Sequence, residues 1–294
     1  TVLNTAGDFG LGLGLWGLPR LGYQGVAWST FVSVLVGAVF NLWIMCRKNL
    51  LCLTDLPPRR WRRAAWPYLF RVAWPTGLTQ FLWQSGYLVL FGIAATLPMD
   101  SVNALAGMTA GMRIESILFL PGFAFNRTAQ ILVSHELGGG RFDDARRAGW
   151  RILGFGCLAI SLLGVGLWVE VRTVTALVAP AASVQPFCVE YLFWNILAIP
   201  FTVGNMILGG VMVGAGATVY NLVAFSVATW LVRLPLAYAL GHHWNLGAPG
   251  VFASMLASQI IQTLLMLYLF QFRDWSRFGL RKAPAVVSNI GLRK

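Results

Sequence analysis

Five long stretches of this chain contain no charged residue, and they limit its architecture more than any motif does. Between Arg20 and Arg47 lie 26 uncharged residues, and between Arg71 and Asp100 another 28. Residues 152 to 169 add 18, and residues 191 to 232 and 234 to 272 give 42 and 39. About 20 apolar residues cross a bilayer as a helix, and a charge at its centre is costly, so such stretches mark membrane spans. The two longest need internal breaks, which Gly214-Ala215-Gly216-Ala217-Thr218 and the run from His242 to Gly250 supply. Residues 103 to 134 are mostly apolar despite Arg113, Glu115 and Arg127, and the residues before Trp16 look like one more helix tail. The reading is an all-α polytopic membrane protein with about eight spans, at 1–16, 23–46, 68–97, 103–134, 152–169, 187–212, 218–240 and 248–272. Composition agrees: 57% of residues are apolar and only 11% charged, against roughly 25% charged in soluble domains. Cys46, Cys52, Cys157 and Cys188 form no CxxC pair, so neither a zinc site nor a disulfide framework is indicated. The chain starts at Thr1 without a signal peptide pattern and reads as processed or as part of a longer protein.

The 22 Lys and Arg residues alternate by side. Loops 47 to 71 and 135 to 151 and the tail from 273 carry 17 of them, whereas the opposite loops carry only Arg20 and Arg172. That positive-inside pattern puts the 47–67 loop and the tail in the cytoplasm of a multi-pass inner (plasma) membrane protein. Short basic runs flanking helices suit anionic lipid head groups, so the net charge of +12 does not indicate nucleic acid. At an offset of 225, Leu21, Gly22, Gly25, Val26, Ser29 and Ser33 align with Leu246, Gly247, Gly250, Val251, Ser254 and Ser258, six identities in thirteen positions. Each copy is a Leu-Gly-x-x-Gly-Val turn leading into a helix with Ser on one face. An even number of spans between copies makes them parallel repeats, the arrangement of transporters built from two similar bundles. On that basis residues 1–46 are expected to be the last two helices of an N-terminal lobe and 47–67 a cytoplasmic inter-lobe loop. Residues 68–272 would form a complete C-terminal six-helix lobe and 273–294 a basic cytoplasmic tail, with about four helices missing upstream if each lobe has six.

Ile131-Leu132-Val133-Ser134-His135-Glu136-Leu137-Gly138-Gly139-Gly140-Arg141, followed by Asp144-Ala145-Arg146-Arg147, is similar to a segment common in the multidrug and toxic compound extrusion (MATE) transporters. So are Ala110-Gly111-Met112-Arg113-Ile114 with Phe119-Leu120-Pro121-Gly122, and the link Pro19-Arg20-Leu21-Gly22-Tyr23-Gln24-Gly25-Val26-Ala27. Gly210-Val211-Met212-Val213-Gly214-Ala215-Gly216-Ala217-Thr218 matches a further motif, with Ala217 where the family usually has Asp. The resemblance runs in order from the family's fifth helix to its twelfth. It implies a secondary antiporter that exports amphipathic organic cations and drugs in exchange for H+ or Na+, without another cofactor or resident metal. Implied partners are the drugs, membrane lipids and the missing N-terminal helices.

Asn4 and Asp8, spaced i, i+4, share one helix face, and an acid inside a span suggests function. They match an Asn-x-x-x-Asp of the family's cation site, although Asp8 could merely lie near a polar helix end. Burial favours a neutral carboxyl that takes up a proton, whereas its oxygens suit a hard cation. Gln80, Gln84 and Tyr87, at i, i+4 and i+7, form a polar stripe that could bind substrate or hydrogen-bond neighbouring helices. Trp83 stands eight residues after Pro75, where another branch of the family carries a coupling Glu, which moves the expected ion coupling to Asp8. Arg113 and Glu115 do not face each other, so each needs a partner on another helix. Arg233 occupies the position of Asp8 in the second copy and would oppose cation binding there; snorkelling or a carboxylate partner are the alternatives. Glu190, Asn195 and Asn205 read as structural. His135, His242 and His243 lack metal-site spacing, and Gly138-Gly139-Gly140 lacks the Lys of a P-loop. No GxSxG, HExxH or catalytic carboxylate pair indicates an enzyme. The rival readings are a flippase for lipid-linked saccharides of the same superfamily and an inactive partial reading frame.

Overall fold

The structure is a computed structural model that describes residues 2–17, 19–48, 59–98 and 100–278. The chain divides into two units, Thr1–Trp66 and Pro67–Lys294. Parts of two sequence expectations, within the 47–67 loop and the 273–294 tail, lie outside the described residues.

In the first unit, α1 (Val2–Gly7) runs directly into a π-helical turn, Asp8–Gly12, and both pack on α2 (Tyr23–Arg47). This corrects the expected 1–16 span: the regular helix stops early. Gly14, Trp16 and Gly17 take φ of 75°, 60° and 78°, a left-handed region that no right-handed helix can use. Contact between α1 and α2 depends on small residues. A Cβ on Gly7 would strike Ser29, and one on Gly25 would strike the Leu11 carbonyl, the close approach that membrane helices use in place of a hydrophobic driving force.

The second unit holds α3 (Arg59–Ala95, belonging to it from Pro67 on), α4 (Ser101–Gly138), α5 (Phe142–Val169), a short α6 (Val171–Val178) and α7 (Gln185–Gly214). After α8 (Thr218–Ser226) come a π-helical segment, Val227–Arg233, then α9 (Leu234–Tyr238) and a second π segment, Ala239–His243. These four pieces run as one rod of 26 residues, and α10 (Gly247–Phe272) follows. Seven helices are long and apolar enough to span a membrane, among the described residues. Charge-free windows mark six of the seven, and the mostly apolar stretch 103–134 marks α4 despite its three charges, but neither signal marks the helix ends. The α5 helix starts ten residues before the expected span, with Asp143 and Asp144 in its first turn, where acids favour the helix dipole. A charge stops a helix from being apolar without stopping it from being helical.

At the centre of this unit is α7, packed against α4, α5 and α10. Gly107 and Gly111 of α4 lie under Phe187 and Tyr191 of α7, and Gly210 and Gly214 of α7 lie against the Asn126 and Gln130 carbonyls of α4. Pro200 breaks the ladder inside α7. Beside that break, Cys157 donates to the Pro200 carbonyl at 3.4 Å and Thr263 to that of Phe201 at 3.0 Å. Two apolar clusters form the interior. One is centred on Ile207, Leu208, Met212 and Phe270, the other on Leu90, Met108, Tyr191 and Phe252. Outward faces keep large apolar side chains exposed, among them Phe155, Leu158, Leu162, Leu264 and Tyr268. In lipid that surface needs no polar cover.

Candidate functional site

The turn that carries Asp8 is wider than an α-helix because its backbone bonds skip one residue further, and π turns of this kind often mark functional positions. Asp8 opens the turn and lines a cleft of about 450 Å3 with Phe9, Gly12, Leu13, Arg20, Gly22 and Val26. Its Oδ1 is buried without a hydrogen-bond partner, a state that a proton or a bound cation would relieve. Asn4, one turn earlier, is not bonded to Asp8. Its Nδ2 donates to Thr30 Oγ1 at 3.2 Å, while its carbonyl accepts from Ser29 Oγ at 2.8 Å. Asn4 therefore fastens α1 to α2 beside the carboxylate, an arrangement that positions the acid more directly than it adds an oxygen to it.

The predicted stripe on α3 separates. Gln80 and Gln84 are exposed, whereas Tyr87 turns inward and its hydroxyl meets the Arg233 guanidinium. Trp83 stacks edge-on against Tyr87, with ring centroids 5.5 Å apart.

Arg233 does not snorkel. It is 3% exposed, and its Nε donates to Ser258 Oγ of α10 at 2.7 Å. Glu115, 6% exposed on α4, accepts from the Tyr191 hydroxyl of α7 at 2.8 Å and feels the positive charge of Arg233. One polar cluster thus draws Tyr87, Glu115, Tyr191, Arg233 and Ser258 from five helical elements. Asn195 joins it at one remove, donating to the Tyr191 carbonyl at 2.9 Å. Two buried donors nearby in sequence, Thr229 Oγ1 and Trp230 Nε1, have no partner. Arg113 points out to the surface of α4, so Glu115 alone of that pair has its partners inside the unit. Asn205 Nδ2 donates to Gln259 Oε1 at 2.8 Å, while its own Oδ1 is buried without a partner.

No sequence motif singles out Tyr191 or Ser258 as a site residue. The available signal was a phenol in an otherwise apolar span and a Ser on the repeated Ser face of the last helix. Their partners lie 76 and 25 residues away in sequence.

The MatE family model matches residues 75–239. Over 284 residues the chain is 27% identical to a "Probable multidrug resistance protein NorM" of Thermotoga maritima, a match covering 94% of this chain and 58% of that protein. It is 26% identical over 286 residues to a "Multidrug resistance protein NorM" of Burkholderia vietnamiensis, covering 93% and 60%. Among solved structures, "Crystal structure of MATE in complex with MaL6" superposes with a TM-score of 0.83 at 18% identity, covering 94% of this chain and 61% of that one. "Outward-facing conformation of a multidrug resistance MATE family transporter of the MOP superfamily" superposes with a TM-score of 0.82 at 19% identity, covering 94% and 60%. The chain spans about three-fifths of the length of the relatives it matches. With a family model covering more than half of its residues and seven helices of membrane-spanning length, the chain is a multi-pass membrane protein of the MatE family.

Proposed function

We propose that the protein to which this chain belongs is a secondary active antiporter that exports amphipathic organic cations in exchange for H+ or Na+. The multidrug-resistance names of its relatives support the substrate class. The observation that carries the coupling is Asp8: a residue with a carboxylate oxygen buried without a partner, on a π turn beside a cleft that it helps to line. Asn4 holds the helix that presents it. In the same reading Gln80, Gln84 and Tyr87 contact the drug, the two glutamine amides with polar groups and Tyr87 through its ring, which accepts flat cations of many shapes. The first unit supplies the last two helices of an N-terminal bundle, and the second unit is the C-terminal bundle. In transporters built from two parallel repeats, rocking of one bundle against the other gives alternating access.

Asp8→Asn keeps the size and most of the hydrogen-bonding capacity of the side chain and removes its charge. In the full-length protein, reconstituted in vesicles, it is expected to insert and fold normally and to lose gradient-driven efflux of a fluorescent cation at least tenfold. Drug binding can persist, because ion and drug sites are linked by a coupling free energy rather than by identity. Gln84→Ala is expected to change the ranking of drugs while leaving ion-driven turnover. Efflux by Asp8→Asn at the unsubstituted rate, at equal protein, removes Asp8 from the mechanism.

A further inference from the structure

Where α4 turns into α5, a cleft of about 410 Å3 opens that the transport reading leaves unused. Leu132 and Glu136 line it from α4, and Arg141, Asp144, Arg147 and Arg151 from the turn and α5. Asp144, Arg147 and Arg151 recur at i, i+3 and i+7, so they share one face of α5. Three guanidinium groups against two carboxylates leave one positive charge in excess, and their pairing is uneven. Arg141 Nε donates to Glu136 Oε2 at 2.5 Å, whereas Arg147 and Arg141 reach Asp144 only at 3.8 Å and 4.0 Å. Arg151 is exposed and, among the described residues, has no carboxylate within 4 Å. It is also the last charge before the 18 uncharged residues 152 to 169. Past it the same face of α5 turns apolar, with Phe155, Leu158 and Leu162 all exposed, and Ile131 and Leu132 are exposed on α4.

We infer that this cleft binds the phosphate of an anionic phospholipid between Arg147 and Arg151, with the acyl chains lying along the apolar face of α5. The planar guanidinium fork matches phosphate oxygens two at a time, and side chains four apart on a helix are neighbours, so two forks can hold one phosphate. Order along the helix selects the source. Charge first and exposed apolar side chains beyond it repeat the order of headgroup and acyl chain in a leaflet, whereas a free phosphate uses only the charged end. A zwitterionic headgroup would bring a second cation against the excess positive charge. A glycerol headgroup adds none, and its hydroxyls can donate to the Asp144 carboxylate, so phosphatidylglycerol is the fitting chemistry.

The test is titration of the full-length protein in mild detergent with phosphatidylglycerol and, separately, phosphatidylcholine, bound lipid being counted by native mass spectrometry. A basic residue near an anionic membrane surface favours binding by about fivefold, so the first phosphatidylglycerol is expected to bind about tenfold or more tightly than phosphatidylcholine. Replacing Arg147 and Arg151 together by Gln is expected to remove that preference, and a double variant that keeps it overturns the inference. Arg47→Gln with Lys48→Gln removes as much charge elsewhere and is expected to keep the preference. An equal loss there also overturns the inference, because it describes diffuse attraction rather than a site. Should the cleft double variant fail to fold, Arg151→Gln alone decides, since it breaks no ion pair among the described residues. It is expected to weaken phosphatidylglycerol binding by about fivefold, and unchanged binding overturns the inference. Glycerol phosphate and inorganic phosphate, each in large excess, are expected to leave the lipid in place; displacement by either overturns the assignment to a lipid. None of these readouts uses transport, so they stand whether or not Asp8 couples it.

Discussion

Tyr191 shows how much one side chain can carry in a bundle of this kind. It is fully buried, its ring meets Phe252 edge-on at 5.3 Å, and its hydroxyl is the donor to Glu115. The Gly111 backbone lies directly beneath the ring, so any Cβ there would enter it. Tyr191→Phe keeps the packing and removes the donor, and a carboxylate that loses a hydrogen bond inside the protein costs about 1–3 kcal/mol. The expected result is a lower Tm with unchanged helical content by circular dichroism. Gly111→Ala should lower Tm further, because the ring itself must move. An unchanged Tm in Tyr191→Phe would mean that the 2.8 Å contact contributes no stability. Much of this site was half-legible at residue level. The charges inside spans, Asp8, Glu115 and Arg233, announced themselves, since a charge is rare there. Their partners did not, because Tyr191 and Ser258 are common residues in apolar helices and only tertiary contact distinguishes them. Asn4 was picked out for its spacing to Asp8, but the structure engages its amide with Thr30.

At the scale of elements, the repeat seen as six identities reappears as geometry inside each unit. Gly22 and Gly247 both take positive φ, 55° and 61°. The residue before each closes the turn, Leu21 N donating to the Leu11 carbonyl at 2.9 Å and Leu246 N to that of Leu240 at 3.1 Å. Nothing lies within 4 Å of a Cβ built on Gly247, so the backbone angle alone demands glycine. Gly247→Ala is expected to cost about 1–2 kcal/mol. Gly166→Ala, inside α5 with equally open surroundings and an ordinary helical backbone, should instead gain about 0.5–1 kcal/mol. Thermal unfolding of the two variants against the unsubstituted protein separates conformational strain from packing, and equal shifts would remove the turn argument. Six of the seven long helices were legible because lipid enforces uncharged sequence over a fixed length, and α4 because its stretch stays mostly apolar around Arg113, Glu115 and Arg127. The π segments and α6 were not. A π turn changes only which carbonyl each N–H meets, and eight residues from Val171 to Val178 leave no charge-free window to detect.

At the scale of the whole molecule, charge decides orientation, and the second unit turns a sequence asymmetry into a spatial one. Arg146, near the start of α5, donates to the Gln271 carbonyl at the end of α10, so the basic α4–α5 turn and the start of the basic tail share one end of the unit. In the same turn Arg141 pairs with Glu136 at 2.5 Å and Arg147 with Asp144 at 3.8 Å. At the far end of α10, His242 Nε2 lies 3.2 Å from Thr96 Oγ1 and 3.0 Å from its carbonyl, drawing the turn that contains Asn245 against the end of α3. Ser276 and Asn245 therefore mark opposite ends of a helix of 26 residues, about 39 Å of rise and enough to cross the hydrocarbon core. Basic loops are retained in the cytoplasm during insertion, so the end with Arg141, Arg146, Arg147, Arg151 and Arg273 is expected inside and Asn245 outside. Single cysteines at Ser276 and Asn245, placed after the native cysteines are replaced, allow a direct test in intact cells. An impermeant maleimide is expected to label Asn245→Cys and to reach Ser276→Cys only after the membrane is opened. The reverse pattern would invert the topology.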